Sequence, residues 1–234
     1  MQAIVLAGGK GRRLLPYTTV LPKPLMPIGD YPILEVILRQ LKHAGFNNVT
    51  ISTGYLHELI HAYIDSNKTL GLKISYAHED RPLGTIGPLR LIEDLDDTFL
   101  VMNGDILTDI DYKALIDWHT EKNAIATVAT YQRDAPIDFG VLEKNDENRI
   151  VAFREKPVYH FDVSMGVYVF SKKILEFVPK DEPFGFDQLM YVLTETKAPV
   201  FSFPHTGYWL DIGRPDDYAR SIEEFERYKD RFLP

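Results

Sequence analysis

The apolar positions of this chain change period several times, and each change marks an element. Residues 3–7, containing Ile4-Val5-Leu6, are apolar on both faces, the pattern of a strand buried in a parallel sheet. Leu34, Ile37, Leu38 and Leu41 then follow helical spacing, and Gly45 supplies a stop. Next come a predicted strand at 49–53, a helix from Leu56, a strand at 72–76 and a short helix after Pro88. A second doubly buried strand, 99–102, runs into Asn103-Gly104-Asp105, followed by a helix at 114–121 and a strand at 125–130. This alternation predicts a doubly wound, Rossmann-like α/β fold, with a mixed, mostly parallel sheet and ligands at the carboxyl ends of its strands.

From about residue 137 the rhythm becomes antiparallel. Residues 141–144 and 149–154 read as strands joined by an Asn-Asp-Glu-Asn turn. A strand at 166–170, a helix at 186–194 and strands near 199–203 and 207–211 follow. A last helix begins at Pro215 and aligns Tyr218, Ile222 and Phe225 on one face. With no linker and no repeat, residues 1–234 are expected to form one domain. Its 1–136 half would carry the ligand edge, and its 137–234 half an antiparallel extension over it.

Composition narrows the function. The net charge of −8 argues against nucleic acid and anionic membrane, which need a broad positive surface. The absence of cysteine excludes a disulfide framework, a thiolate metal site and a cysteine nucleophile. No signal-peptide pattern and no run of roughly 20 apolar residues is evident, so a cytoplasmic protein is expected. One region departs from the overall charge. The first 29 residues hold Lys10, Arg12, Arg13 and Lys23 and no acidic side chain.

That local charge surrounds a glycine loop, AGGKGRRL, at the end of the first strand. A Walker loop is excluded, since no GxxxxGK[ST] string exists, and a GxGxxG dinucleotide fingerprint fails at its third glycine, where Leu14 stands. What remains is a looser anion nest, in which backbone N–H groups and basic side chains approach phosphate without obstructing Cβ atoms; the rival is a tight turn with solvated cations. Pro22 and Pro24 restrict the backbone around Lys23 and present its ammonium from a stiff segment.

The string LAGGKGRRL…LPKPLMPIGDYPILE resembles the signature of the nucleotidylyltransferases that join sugar 1-phosphates to nucleoside triphosphates. EDRPLGTIGPL (79–89), NGD (103–105), FGV (139–141), FREKP (153–157), GVYVF (166–170) and YWLDIGRPDDY (208–218) extend the resemblance along almost the whole chain. It implies transfer of a nucleotidyl group to a sugar 1-phosphate with loss of pyrophosphate. Carried over position by position, Gly8, Gly9 and Gly11 would line the triphosphate, with Leu6 also in the nucleotide-binding set. Arg13 and Lys23 would stabilise charge on the α-phosphate and departing pyrophosphate. Lys156 would hold the sugar phosphate, and Gly140 and Glu155 would contact the sugar. Asp105 and Asp211 resemble a metal pair for Mg²⁺, a hard ion that needs only one or two carboxylates beside substrate phosphates. Gly84 and Thr85 resemble nucleobase contacts. Glu79 stands where some uridylyl members carry glutamine; a carboxylate only accepts, which suits the adjacent N1–H and N2–H₂ donors of guanine.

HEDRPLGTIGPL is most similar to mannose-1-phosphate guanylyltransferases, so GTP and mannose 1-phosphate are the expected substrates and partners. Two departures keep heptose or another hexose 1-phosphate as alternatives. Val163-Ser164-Met165-Gly166 has serine where many relatives have asparagine, and the chain ends at Pro234 without the C-terminal β-helix of many relatives. Uridylyl, cytidylyl or thymidylyl transfer, and an idle paralogue that only binds nucleotide sugar, complete the alternatives; a homo-oligomer stays open. Arg12 stands where most relatives have threonine and is unassigned.

Two features are read as decoys. HELIH at 57–61 fits the zinc-protease pattern H-E-x-x-H, but Leu56, Leu59, Ile60, Tyr63 and Ile64 form an apolar stripe that leaves both histidines on the flank. Tyr208-Trp209 suggests a stacking platform, although Trp209, two positions before Asp211, is expected to pack beneath the metal edge.

Overall fold

The structure, a computed structural model, describes residues 1–67 and 70–233; the final residue of the expected domain, Pro234, lies outside the described residues. In chain order the strands are β1 (Gln2–Ala7), β2 (Pro27–Ile28), β3 (Tyr31–Pro32), β4 (Asn48–Thr53), β5 (Lys73–His78), β6 (Thr98–Asn103), β7 (Ile106–Thr108), β8 (Ala126–Pro136), β9 (Val141–Lys144), β10 (Ile150–Arg154), β11 (Val158–Ser171), β12 (Val200–His205) and β13 (Trp209–Asp211). The helices are α1 (Ile33–His43), α2 (His57–Ser66), α3 (Tyr112–Glu121), α4 (Phe186–Glu195), α5 (Pro215–Arg227) and α6 (Lys229–Phe232).

Seven strands form the main sheet in the order β12-β8-β11-β6-β1-β4-β5. All run parallel except β11, which pairs antiparallel with both β6 and β8. Successive side chains of a strand point to opposite faces, so the doubly apolar strands feed two cores. Ala3, Val5, Leu100 and Met102 pack with Ile37, Leu41 and Phe225 on one face. Ile4, Phe99 and Val101 pack with Ile86, Leu189 and Leu193 on the other. This is the doubly wound α/β architecture expected from the alternation.

α1 forms where the spacing predicts it: Leu34, Ile37, Leu38 and Leu41 are fully buried, and Gly45, at φ +87°, ends the segment in the left-handed region. The segment around Pro88 is a short 3₁₀ stretch, Gly87–Leu91, rather than an α-helix. The terminal helix corrects the predicted stripe. Ser221 and Phe225 are buried in α5, whereas Ile222 is 39% exposed. The inward line is therefore half-buried Tyr218 with buried Ser221 and Phe225, made possible because the Ser221 hydroxyl donates to the Tyr218 carbonyl. In α2 only Ile60 and Ile64 of the expected stripe are buried, and Leu56 precedes the helix with φ +53°.

The antiparallel extension has two parts. The distal ends of β8 and β11 pair from Thr130↔Ser164 to Pro136↔Val158, and the β9–β10 hairpin is inserted between them. Both long strands outrun their predicted spans because their outer halves lie beyond the core, where no alternation of burial marks them.

Candidate active site

Parallel strands end on one side of the sheet, and the loops leaving β1, β4, β5 and β6 meet there around a cleft of about 1000 Å³. Its lining includes Leu6 from β1, Gly8, Gly9, Gly11, Arg13 and Lys23 from the segment that follows, Glu79, Gly84 and Thr85 from the loop after β5, and Asp105 after β6.

The glycine loop folds back on itself to deliver Lys23. Gly11 has φ +59°, and a Cβ there would lie 2.8 Å from Thr18 Cγ2 and 3.4 Å from Lys23 Cβ. Thr18 Oγ1 donates to the Gly11 carbonyl at 2.9 Å. Pro22 leads into a 3₁₀ turn, Lys23–Leu25, closed by the Leu25 amide donating to the Pro22 carbonyl. Lys23 is thereby 9% exposed, and its Nζ donates to Asp105 Oδ2 across the cleft floor. Asp105 is brought there because the Gly104 amide donates to the Leu6 carbonyl at 2.9 Å, an approach that a Cβ at Gly104 would obstruct.

Asp211 reaches the same point from the far end of the chain. β13 pairs antiparallel with β7, Asp211 opposite Ile106, and the Ile212 amide donates to the Asp105 carbonyl. Burial, and then the negative charge of Asp105, push the Asp211 carboxyl above its usual range; Lys23 and Arg13 pull the other way. A Cβ at Gly213 would lie 3.3 Å from Asp211 Oδ2 and 3.5 Å from the Arg13 guanidinium, so that glycine lets the two flank it. The expected pair of carboxylates and pair of cations therefore converge.

The donor set fits a hard cation. Asp105 Oδ1 is buried without a hydrogen-bond partner, and the neighbouring Asp211 carboxyl is disfavoured as an anion by burial and by Asp105. A divalent ion between them would relieve both. Among the described residues no group of three or more His, Cys, Asp or Glu is arranged to hold a metal. The remaining ligands would have to come from substrate or water.

At the other end of the cleft, Glu79 packs against Gly8 so tightly that a Cβ on that glycine would overlap its Oε1. Glu79 Oε2 accepts the Leu83 amide at 2.8 Å, and burial raises its carboxyl from the ordinary value. Gly84, at φ +80°, lies beneath the Phe184 carbonyl, where a Cβ would approach to 2.6 Å. Thr85 Oγ1 accepts the Phe186 amide at 2.8 Å, tying this loop to the start of α4.

Gly140, Glu155 and Lys156 are not brought to this cleft wall. They are exposed on the antiparallel extension, with Gly140 against the Phe153 ring and Glu155, and Lys156 at φ +42°. Ser164, by contrast, approaches the inner cluster: its hydroxyl donates to Tyr168 Oη at 3.3 Å and accepts the Gly166 amide. Burial pushes the Tyr168 hydroxyl up to about 12, and the Asp105 charge adds to that shift.

His57, His78 and Arg81 line the cleft without a role in the sequence reading, and Lys10 and Arg12, read there only as loop charge, line it too. The HELIH string could have flagged His57. That string does form a helix, and its histidine rings lie 5.4 Å apart, but the first ring packs at a tilt against His78 at 4.0 Å and the second against Tyr76 at 3.8 Å. Trp209 is half-buried, donates to the Met165 carbonyl at 3.0 Å and packs on Tyr131.

Comparison with known proteins gives this geometry relatives. The family model described as "Nucleotidyl transferase" matches residues 2–227. A D-glycero-alpha-D-manno-heptose 1-phosphate guanylyltransferase of Aneurinibacillus thermoaerophilus is 34% identical over 97% of this chain and 100% of its own. A mannose-1-phosphate guanylyltransferase of Mycobacterium tuberculosis is 31% identical over 97% of this chain and 65% of its own. The chain spans less than two thirds of the length of several curated relatives that it matches. Among solved structures, HddC from Yersinia pseudotuberculosis complexed with GMP-PN superposes with a TM-score of 0.74 and 26% identity, covering 96% of this chain and 99% of that one.

Proposed function

Because the chain belongs to the nucleotidyl transferase family, we propose that it transfers a guanylyl group from GTP to a manno-configured sugar 1-phosphate, either mannose or a manno-heptose. The observation that carries this reading is the convergence of Lys23, Arg13, Asp105 and Asp211 beside the glycine loop. A phosphate oxygen of the sugar 1-phosphate forms a bond to the α-phosphorus. The bond from that phosphorus to the bridging oxygen breaks, and the electron pair leaves with pyrophosphate. Two polyanions must meet in line, so the work is neutralisation and alignment rather than covalent catalysis.

Arg13 and Lys23 would stabilise charge on the α-phosphate and on the leaving group. Gly8, Gly9 and Gly11 offer backbone without Cβ obstruction to the phosphate chain, and Leu6 closes the strand end beneath them. Asp105 and Asp211 would hold Mg²⁺, which supplies charge neutralisation at the phosphate oxygens when bound. Lys156, Glu155 and Gly140 would meet the sugar phosphate from the extension. The ion pair with Asp105 orients the Lys23 ammonium within the cleft.

Glu79 supports guanine over the other bases. One of its oxygens is committed to the Leu83 amide, which fixes the carboxylate at the cleft wall and leaves acceptor capacity for N1–H and N2–H₂ donors. That HddC is complexed with GMP-PN, and that the two sequence relatives are guanylyltransferases of manno-configured sugars, supports the same choice. Among the described residues no helix is long and apolar enough to cross a membrane, and a cysteine-free chain suits the reducing cytoplasm.

The test is pyrophosphate release measured for GTP, UTP, CTP and dTTP against mannose, heptose, glucose and N-acetylamino-sugar 1-phosphates. The highest kcat/KM is expected for GTP with a manno-configured acceptor. Faster release with another nucleotide across all acceptors would overturn the base assignment, and preference for a glucose-type acceptor the sugar assignment.

A further inference from the structure

The inner cluster of the cleft is electrically self-balanced. Lys23 is ion-paired with Asp105, and Arg13 faces Asp211 across Gly213. Two cations against two carboxylates leave no formal surplus to attract a polyanion. Lys10 and Arg12 stand outside this balance. Both line the cleft, both are exposed, and among the described residues neither makes a side-chain hydrogen bond or ion pair. Arg39, Arg90, Arg154, Arg220 and Arg231 each donate to a protein oxygen, and Arg133 lies over the Trp209 ring. At the cleft Arg81 donates to the Asp181 carbonyl. In a chain of net charge −8, two unpartnered cations on one glycine loop point to an anion that completes them.

We propose that Lys10 and Arg12 hold the outer, β and γ, phosphates of the nucleoside triphosphate, the pair that departs as pyrophosphate. This inference rests on the activity proposed above. The inner cluster deals with the two reacting phosphates, while the outer two meet the loop's uncompensated charge. Arginine offers a planar fork that can engage two phosphate oxygens, and lysine a mobile point charge. A nucleoside diphosphate sugar has no outer phosphate pair, so the two side chains separate triphosphate and pyrophosphate from the sugar product. They are positioning residues for the leaving group, distinct from Arg13 and Lys23.

Arg12→Gln, Lys10→Gln and the double variant, assayed in both directions, test this. Each single variant should raise KM for GTP, and KM for pyrophosphate in the reverse reaction, by about 10-fold, as expected for loss of one charge-assisted hydrogen bond. KM for the nucleotide sugar should stay within about twofold, and kcat should move far less than KM. Arg12→Lys should recover most of the loss, and the double variant should show a shallower salt dependence of KM for pyrophosphate. Unmoved KM for pyrophosphate, or an equal rise for the nucleotide sugar, would overturn the assignment. Turnover by the wild type with unmoved variants defeats this inference alone, whereas a wild type that releases no pyrophosphate from any nucleotide and acceptor pair defeats the proposed activity and this inference with it.

Discussion

Lys23 and Asp105, 82 residues apart in sequence, form an ion pair on the floor of the cleft with their side chains only 11% and 19% exposed. Removing either partner strands a charge with little water around it, a loss of roughly 3–5 kcal/mol for a buried pair and less here because of the residual exposure. Lys23→Ala and Asp105→Ala should each abolish measurable turnover while far-ultraviolet circular dichroism stays native. The double variant Lys23→Met/Asp105→Asn should regain much of the lost stability in urea unfolding and none of the activity. Recovery of activity in the double variant would show that the pair is structural only.

Glu79 packs against Gly8 at the cleft wall where the base is proposed to bind. Glu79→Gln keeps an acceptor for the Leu83 amide but turns an N–H₂ group towards the cleft. The ratio of kcat/KM for GTP to that for UTP should fall by at least about 10-fold, since a polar site left mispaired discriminates strongly. Gly8→Ala drives a methyl into the Glu79 carboxylate and should raise KM for every nucleotide. An unchanged ratio in Glu79→Gln would remove Glu79 from base selection.

Asp211 should matter through a divalent cation. Chelation should silence the enzyme and Mg²⁺ restore it, and Asp211→Asn should lower kcat by about 10²–10³, the scale for losing one preorganised electrostatic element. Independently of turnover, Mg²⁺ with nucleotide should raise Tm of the wild type and have little effect on Asp211→Asn. Equal Tm shifts in both proteins would place the ion elsewhere.

His119 on α3 predicts acid sensitivity away from the cleft. It is 2% exposed, bonded through Nδ1 to Thr127 Oγ1, and burial lowers its pKa from 6.5 to about 4. A depressed folded-state pKa means the neutral ring is favoured on folding. Its contribution is complete above pH 6.5 and is lost as pH falls towards 4, up to about 3 kcal/mol by linkage. Urea unfolding across that interval should show a steeper loss in the wild type than in His119→Gln; parallel curves would contradict the assignment.

The α5 stripe offers a stability contrast. Phe225 is fully buried and stacks on Phe232 at 5.9 Å, so Phe225→Ala should cost about 3–5 kcal/mol. Ile222, half out in solvent, should tolerate Ile222→Ser within about 0.5 kcal/mol. Equal losses would restore Ile222 to the core.

Elements that bury apolar residues at a regular period could be read from the chain directly. β1, β6 and α1 sit where Ile4-Val5-Leu6, Phe99–Met102 and the Leu34–Leu41 spacing place them, because periodic burial leaves a periodic sequence. The glycine loop and NGD were also legible as glycine-marked turns: a Cβ would meet the Glu79 carboxylate at Gly8, the Thr18 side chain at Gly11 and the Leu6 carbonyl at Gly104. The outer halves of β8 and β11 were not, because strands beyond the core carry no burial rhythm. Nor was the choice of Ser221 over Ile222, which depends on a hydroxyl satisfied within its own helix.

Three things were decided by tertiary structure alone. The sheet order brings Lys23 to Asp105, and the β7–β13 ladder brings Asp211 to both. The histidines of HELIH pack at a tilt against His78 and Tyr76, contacts that no spacing encodes. Finally, Arg13 and Lys23 face carboxylates, while among the described residues Lys10 and Arg12 form no ion pair. Sequence supplies the charges of the loop, but pairing is a matter of distance, and distance between residues 10 and 211 exists only once the chain is folded.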